Sequence, residues 1–247
     1  MPNWVYNTLT IEGNTWDIKR LQTQVERPFT VPVQTMNMGD INPDGFPTKL
    51  EEVVYTNPVF AFWNIVSPYD MGVTAVEYAL QPARTGLDVG APNWWEETEK
   101  LRKTDKSWYS WNITNWGVKW DVAVADNDEY PDTELIDEGT NGDNHVLVYR
   151  FNTPWGIPDE ALKKLSSQYP ALLFTLEYEE ETGWGGEHEY LRGEQLDGYE
   201  YNWMCYECGY KETGEPPYCE ECDYDICPSC GWGEPDEFCE AHKKVEV

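Results

Sequence analysis

The cysteines of this 247-residue chain are confined to its C-terminal end, and their spacing constrains what that end can fold into. All seven lie after residue 204, and with one histidine they form four pairs whose members are separated by two residues. Paired thiolates at this spacing can bind one metal ion, and eight such ligands complete two tetrahedral zinc sites. The predicted ligands are Cys205 and Cys208, Cys219 and Cys222, Cys227 and Cys230, and Cys239 and His242.

Two ways of sharing these pairs between the ions are compatible with the spacing. Sequential pairing joins the first pair to the second and the third pair to the fourth. Crossed pairing gives site 1 from Cys205, Cys208, Cys227 and Cys230, and site 2 from Cys219, Cys222, Cys239 and His242. The first and third pairs resemble the paired knuckles of rubredoxin-type sites, because Gly209 and Gly231 follow their second cysteines. Residues 223–230 also resemble the core of ZZ-type zinc fingers, which use crossed pairing, although the 222–227 spacing is one residue short.

Residues 203–247 are therefore predicted to form a small domain that depends on metal. About forty residues cannot bury enough apolar surface to fold unaided, so the two ions supply the main folding free energy. Four protein ligands close each site and leave no position for a catalytic water, so both zinc ions are predicted to be structural. Iron is an alternative at the all-cysteine site, by analogy with rubredoxin.

The charge of the chain restricts its partners. The net charge is −29 at pH 7, and a nucleic-acid binder needs Lys and Arg to replace the counterions on phosphates. The composition therefore disfavours nucleic acid and favours a protein partner, in particular a basic one. Acidity that only keeps a tryptophan-rich chain soluble is the alternative. The sequence has no membrane span and no secretion signal, so a cytoplasmic location is predicted.

The periodicity of residues 1–200 predicts an α+β domain. We expect a strand over 4–11, a helix over about 16–26, a short helix over 93–103 and a strand over 118–125. Residues 27–51 are predicted to be loop with at most a short strand, and 126–144 an acidic turn region. A strand over 145–151, a helix over 158–168 and strands over 172–178 and 187–192 follow. This order matches a ferredoxin-like antiparallel sheet with helices on one face, followed by the two-zinc domain.

Three groups of segments also resemble the YubB-type ferredoxin-like domain of phage and plasmid proteins. They are Met1 to Trp4 with Asn7 to Gly13, Trp108 to Trp111 with Asn115 to Asp121, and Phe151 to Trp155 with Pro158 and Tyr178 to Gly183. The resemblance covers about residues 1–200 and implies a ferredoxin-like fold and a mobile-element origin. It implies no known reaction. The term describes the fold only, because no cysteine precedes residue 205 to hold an iron–sulfur cluster.

No catalytic constellation is recognisable in the sequence. His145 and His188 are predicted to be surface or packing residues, and Gly183 to Gly186 a hairpin turn. The glutamates at 177 and 179–181 are predicted to be a solvated strand end. The tryptophans are predicted to pack mainly in the core, with a stacking platform for bases or a protein-binding patch as alternatives. Those considered for the platform are Trp108, Trp111, Trp116, Trp120 and Trp155.

Three functions follow from these features. The first is a non-enzymatic phage or mobile-element accessory protein that binds host or phage proteins, with the zinc module as recognition surface. The second is an acidic DNA mimic that inhibits a host DNA-binding or defence protein, which predicts carboxylates along one face. The third is a zinc-dependent nucleic-acid-binding regulator. The charge argument disfavours the third, because Lys211, Lys243 and Lys244 are the only cations in 203–247.

Overall fold

A computed structural model describes residues 3–35, 49–79, 105–123, 132–205, 210–213, 218–219 and 224–225. The first half contains β1 (Trp4–Gly13), α1 (Thr15–Val25), β2 (Phe29–Thr35), β3 (Lys49–Tyr55), α2 (Ala75–Ala79) and α3 (Trp108–Trp116). The second contains β4 (Glu134–Asn141), β5 (Asn144–Pro154), α4 (Asp159–Gln168), β6 (Leu173–Glu180), β7 (Gly185–Leu191) and β8 (Glu194–Tyr201). Four two-residue strands follow: β9 (Trp203–Met204), β10 (Lys211–Glu212), β11 (Tyr218–Cys219) and β12 (Tyr224–Asp225).

Six strands form one antiparallel sheet in the order β4-β5-β1-β6-β7-β8. The path β1–α1–β4–β5–α4–β6 places β1 between β5 and β6, which is the split βαβ arrangement of ferredoxin-like folds. Strands β7 and β8 extend the sheet beyond β6. The predicted α+β class and ferredoxin-like sheet are therefore confirmed.

Alternation along the strands separates a helix-covered face from an open one. On β1 the side chains of Val5, Leu9 and Ile11 are fully buried, whereas Tyr6 is 48% exposed. Both long helices add their apolar stripes to the same core: Ile18, Leu21 and Val25 from α1, and Ala161, Leu162 and Leu165 from α4. Asn14 caps α1, since its Oδ1 atom accepts a hydrogen bond of 2.9 Å from the backbone amide of Asp17. The periodic segments thus predicted the elements that build the core.

The strand predicted over 118–125 is wrong for its described part. Residues 118–123 are irregular, because the carboxylate of Asp121 binds the backbone amides of Val122 and Ala123 at 2.7 and 3.2 Å. Val118 and Val122 are buried while Trp120 between them is 38% exposed, so the apparent alternation does not mark one strand face.

Two predicted loops contain strands. The 27–51 segment holds β2 and the start of β3, and the 126–144 segment holds β4. Strand β4 lies at the sheet edge with an irregular register near Leu135, and none of its side chains is fully buried, so it has no apolar alternation to detect. The helix predicted over 93–103 lies outside the described residues.

The predicted boundary near residue 200 falls at the end of the sheet. Strand β8 ends at Tyr201, and the amide of Asn202 then donates to the carbonyl of Glu212 at 2.8 Å. The β9–β10 hairpin therefore begins directly after the sheet. Within the described ranges, no helix has the length and apolar character needed to cross a membrane.

Candidate protein-binding surface

The helix-free face of the sheet carries a concentration of glutamates and tyrosines. On β6 the buried Leu176 and Tyr178 point to the helices, so Glu177 and Glu179 point the other way. The same alternation holds on β7, where Gly186, His188 and Tyr190 are buried. We define the open sheet face by the outward residues Tyr6, Glu177, Glu179, Glu187, Glu189 and Tyr199.

The strand register brings like charges on this face together. Glu177 is directly opposite Glu187, and Glu187 is in turn opposite Tyr199. Directly opposed side chains have Cβ atoms about 5 Å apart, and like charges in that position destabilise a sheet. Within the described residues, no ion pair with Lys or Arg is formed by any glutamate of the open sheet face, namely Glu177, Glu179, Glu187 and Glu189. The open sheet face therefore places like charges side by side without an ion pair to Lys or Arg in the described part of the chain, with Arg150 on the same face two strands away from Glu177.

The strand-end glutamates predicted to be a solvated group separate into different environments. Glu180 is 3% exposed, and its carboxylate accepts hydrogen bonds from the amide and hydroxyl of Thr182. These bonds shape the turn between β6 and β7. Only Glu177 and Glu179 belong to the open sheet face, and Glu181 lies next to it, with its Oε1 atom 3.5 Å from the hydroxyl of Tyr6.

Three tryptophans form a cluster at one end of this face. The Trp4 and Trp120 rings are 6.1 Å apart, and the Trp120 and Trp155 rings 6.2 Å. Lys119 Nζ lies 4.4 Å from the Trp120 ring and 5.0 Å from that of Trp155. We call Trp4, Trp120 and Trp155 the tryptophan cluster. It adjoins the open sheet face because Trp4 and Tyr6 point to the same side of β1.

Trp155 is presented to solvent by an unusual backbone conformation. Its φ angle is 61°, in the left-handed region that bulky residues rarely adopt, and its side chain is 53% exposed. Its amide donates to the carbonyl of Asn3 at 2.9 Å, which ties this turn to the start of β1. Backbone strain that supports an exposed aromatic side chain points to a functional surface.

The remaining tryptophans considered for a platform lie elsewhere. Trp111 and Trp116 are 4% and 1% exposed, and their rings meet edge to face with centroids 5.4 Å apart. Trp108 is half-buried against the core. Core packing is thus confirmed for Trp111 and Trp116, whereas Trp120 and Trp155 lie at the surface.

The C-terminal segment contacts the open sheet face at its β8 edge. Lys211 Nζ lies 4.5 Å from the ring of Tyr201 and 5.6 Å from that of Tyr199. Tyr201 is 3% exposed and its ring lies over Gly185, where a Cβ atom would come within 2.5 Å of the tyrosine hydroxyl. The β9–β10 hairpin is therefore placed beside the glutamates rather than extending away from the sheet.

Two of the eight predicted zinc ligands fall within the described residues. Cys205 is fully buried, and its amide donates to the carbonyl of Tyr210 at 2.8 Å across the first predicted knuckle. Cys219 lies on β11, opposite Tyr224 of β12. The six outside the described residues are Cys208, Cys222, Cys227, Cys230, Cys239 and His242. The described part contains no group of three metal ligands, and the two zinc sites stay a prediction.

The two non-ligand histidines have different surroundings. His188 is 6% exposed, with Nε2 3.2 Å from the hydroxyl of Tyr178 and Nδ1 3.4 Å from that of Tyr190. Burial raises the pKa of both tyrosines, which keeps their hydroxyls neutral. His145 Nε2 lies 3.2 Å from Glu138 Oε1 at the sheet edge. His188 is thus a packing residue, which is one of the two roles, surface or packing, predicted for it.

Comparison with known proteins identifies part of this architecture. Residues 119–215 match the family model described as the ferredoxin-like domain in Api92-like protein. These residues are similar to an Api92-like ferredoxin-like domain. The matched range includes β4 to β10, and so the three strands that carry the glutamates and Tyr199.

The crystal structure of a protein api92 from Yersinia pseudotuberculosis is similar to this chain at 13% sequence identity and a TM-score of 0.40. The similarity covers 83% of this chain and 100% of that chain. No curated protein matches the sequence. The Api92-like match ends at residue 215 and so includes Cys205 and Cys208 but none of the later predicted ligands.

Proposed function

We propose that this protein acts without catalysis, by binding a basic protein partner through the open sheet face and the adjoining tryptophan cluster. The observation that carries the proposal is the direct opposition of Glu177 and Glu187 on neighbouring strands, without an ion pair to Lys or Arg within the described residues. Lys and Arg side chains of a partner would neutralise these carboxylates. Such a partner removes repulsion that the free protein retains.

The tryptophan cluster supports a protein rather than a small ion as the partner. Exposed tryptophans are enriched among residues that dominate protein interfaces, and their rings also accept Lys and Arg through cation–π contacts. Lys119 already lies over the rings of Trp120 and Trp155, which illustrates the kind of contact they favour. Nucleic acid does not suit this surface, because phosphates would face the glutamates.

The predicted zinc module belongs to the same proposal. Two structural zinc ions, in the crossed arrangement given above, would fold residues 203–247 and hold them beside the open sheet face. The contact of Lys211 with Tyr199 and Tyr201 supports this placement. The module would then enlarge the surface offered to the partner. A zinc-dependent nucleic-acid regulator is less well supported, since Lys211 is one of three cations in the module.

We also propose that the protein comes from a phage or mobile element. The segments that resemble YubB-type domains favour a phage or mobile-element protein that acts in the host cytoplasm on host or phage proteins. The negative charge of the chain fits partners with basic surfaces, which include proteins that bind DNA.

A DNA mimic is the second candidate, and the same glutamates favour it. Glu177 and Glu179 are two residues apart on β6, which separates them by about 7 Å along the strand. Glu187 and Glu189 repeat that spacing on β7. Regularly spaced carboxylates on one face are what a decoy for a DNA-binding site requires. The two candidates differ in one respect. Only for a DNA mimic would DNA compete with this protein for the same site on the partner.

Affinity purification from expressing cells tests the proposal. The tagged full chain and the Glu177→Gln/Glu187→Gln variant are compared, with bound proteins identified by mass spectrometry. We expect a basic partner that the wild type retains and the variant loses, because two of its counter-charges are gone. Addition of double-stranded DNA separates the candidates, since it releases the partner only if the protein is a DNA mimic.

The matched control is Glu51→Gln/Glu52→Gln, which changes net charge equally in β3, outside the six-stranded sheet. It is expected to retain the partner. Equal loss in both variants would mean that only overall charge matters, and the proposed surface would be wrong.

A further inference from the structure

A groove in the helix layer concentrates positive charge in this acidic protein. It has a volume of about 920 Å³ and lies between α1 and α4, with Lys19, Arg20 and Arg27 on one side and Lys164 on the other. These are four of the 17 Lys and Arg residues in a chain with a net charge of −29. The groove is separate from the open sheet face, because the helices cover the other side of the sheet.

The cations of the groove are largely free of carboxylates. Arg20 pairs with Asp17 at 3.1 Å and stacks on Trp16 at 4.5 Å, which fixes its position. For Lys19, Arg27 and Lys164, no ion pair is formed within the described part of the chain. The groove therefore has positive charge available for a ligand.

Lys164 shows that the site is built into the fold. Its Nζ atom donates to the carbonyl of Asn115 at 3.1 Å and to Asn115 Oδ1 at 2.7 Å. Partial burial lowers the pKa of this lysine, although the charge of Glu160 acts to raise it. An anion in the groove would supply a closer counter-charge, since Lys164 forms no ion pair within the described residues.

The floor of the groove is a fixed polar network. Gln24 Nε2 donates to Gln168 Oε1 at 2.8 Å, and Gln24 Oε1 accepts from the hydroxyl of Tyr169 at 2.7 Å. Asn64, which is 4% exposed, donates to the carbonyls of Val25 and Arg27, and its Oδ1 atom is without a hydrogen-bond partner in the described structure. The network thus holds the floor in place beneath the cations.

We infer that this groove binds a small multivalent anion. The groove cations bind its charged oxygens. The acidic surface limits the size of the ligand: charges are screened over about 8–10 Å, so a small anion meets mainly the groove cations. A longer polyanion, such as an acidic peptide or a nucleic acid, would extend over the acidic surface and be repelled.

Three carboxylates lie near the cations and leave this inference intact. Glu160 acts on the charge of Lys164, but its Oε1 atom contacts Lys163 Nζ, at 3.5 Å. Asp70 lines the groove, but its Oδ2 atom accepts hydrogen bonds from the amide and the hydroxyl of Ser67, which hold it in a helix cap. Asp17 is paired with Arg20. None of the three carboxylates forms an ion pair with the groove cations other than Arg20 within the described residues.

Isothermal titration calorimetry of the full chain with pyrophosphate and with citrate tests the inference. The two probes show whether the groove prefers phosphate or carboxylate groups on its ligand, and binding of either probe supports a small-anion site. The variant Lys19→Gln/Arg27→Gln is expected to weaken binding by about tenfold or more, because each lost cation removes a charge-assisted hydrogen bond. Both residues are exposed, so the thermal unfolding midpoint should change little.

The matched control is Lys106→Gln/Arg150→Gln, which removes two exposed cations that are already paired with Glu77 and Glu134. It is expected to bind the probes like the wild type. Absence of binding by both probes at millimolar concentration, or equal weakening in the two variants, would overturn the inference. Tighter binding of hexaglutamate or of a single-stranded oligonucleotide than of pyrophosphate and citrate would overturn the size argument.

Discussion

Chelation of zinc is expected to unfold residues 203–247 while the six-stranded sheet stays folded. Structural zinc contributes on the order of 10 kcal/mol per site in comparable small domains, which exceeds any stability this segment could gain from its own core. The purified chain should contain two zinc ions by elemental analysis. After chelation, limited proteolysis should cleave beyond Tyr201 and leave the preceding sheet intact, because β8 belongs to the larger core.

Restoring zinc provides the control for this experiment, since it should restore protection of the same segment. The variant Cys205→Ser should lower the zinc content, because Cys205 is a predicted ligand of site 1 and is fully buried. Substantially fewer than two metal ions per chain, with the cysteines joined as disulfides, would contradict the zinc prediction.

Replacement of Asp121 by Ala is expected to lower the free energy of unfolding by about 4 kcal/mol or more, because four donors lose a charged acceptor. Its carboxylate accepts hydrogen bonds from the amides of Phe62 and Trp63, both at 2.8 Å, as well as from Val122 and Ala123. Urea unfolding followed by circular dichroism measures the loss. The control Asp137→Ala changes an exposed carboxylate on the edge strand and should have a small effect.

The same residue is expected to make stability depend on pH. Burial raises the pKa of Asp121 from 3.8 to about 6, although the four amides act to lower it. Because the pKa of Asp121 is raised in the folded state, the folded protein binds more protons than the unfolded chain. The stabilisation that results is present at low pH and is lost as pH rises through about 6. Between pH 5 and 7.5 the wild type should lose about 1 kcal/mol of stability relative to Asp121→Asn. A difference that does not vary with pH would contradict this assignment.

The sheet core was predictable because its elements have clear periodicity. Strand β1 alternates, and α1 and α4 each carry one apolar stripe, so their positions followed from local pattern alone. The edge strand β4 and the strand β8 were not predicted, because neither buries a regular apolar row. The irregular 118–123 segment depends on Asp121 binding a loop about sixty residues earlier, a tertiary contact without a local signature.

The candidate surfaces were less predictable than the fold. Net charge indicated an acidic protein but not where the acids lie, and the opposition of Glu177 and Glu187 follows from strand register. The basic groove was missed, because its cations come from α1, the following turn and α4. The available signal was the spacing of residues 16, 19, 20 and 23, which places Lys19 and Arg20 on one side of α1.

The binding affinity of the captured partner as a function of salt tests the central proposal most directly. For the wild type, we expect the dissociation constant to rise at least about tenfold between 50 and 300 mM NaCl, because opposed charges are screened. Glu177→Gln/Glu187→Gln should bind at least about tenfold more weakly at low salt and depend less on salt, whereas Glu51→Gln/Glu52→Gln should match the wild type. Equal affinities and equal salt dependence for all three proteins would show that the open sheet face is not the binding surface.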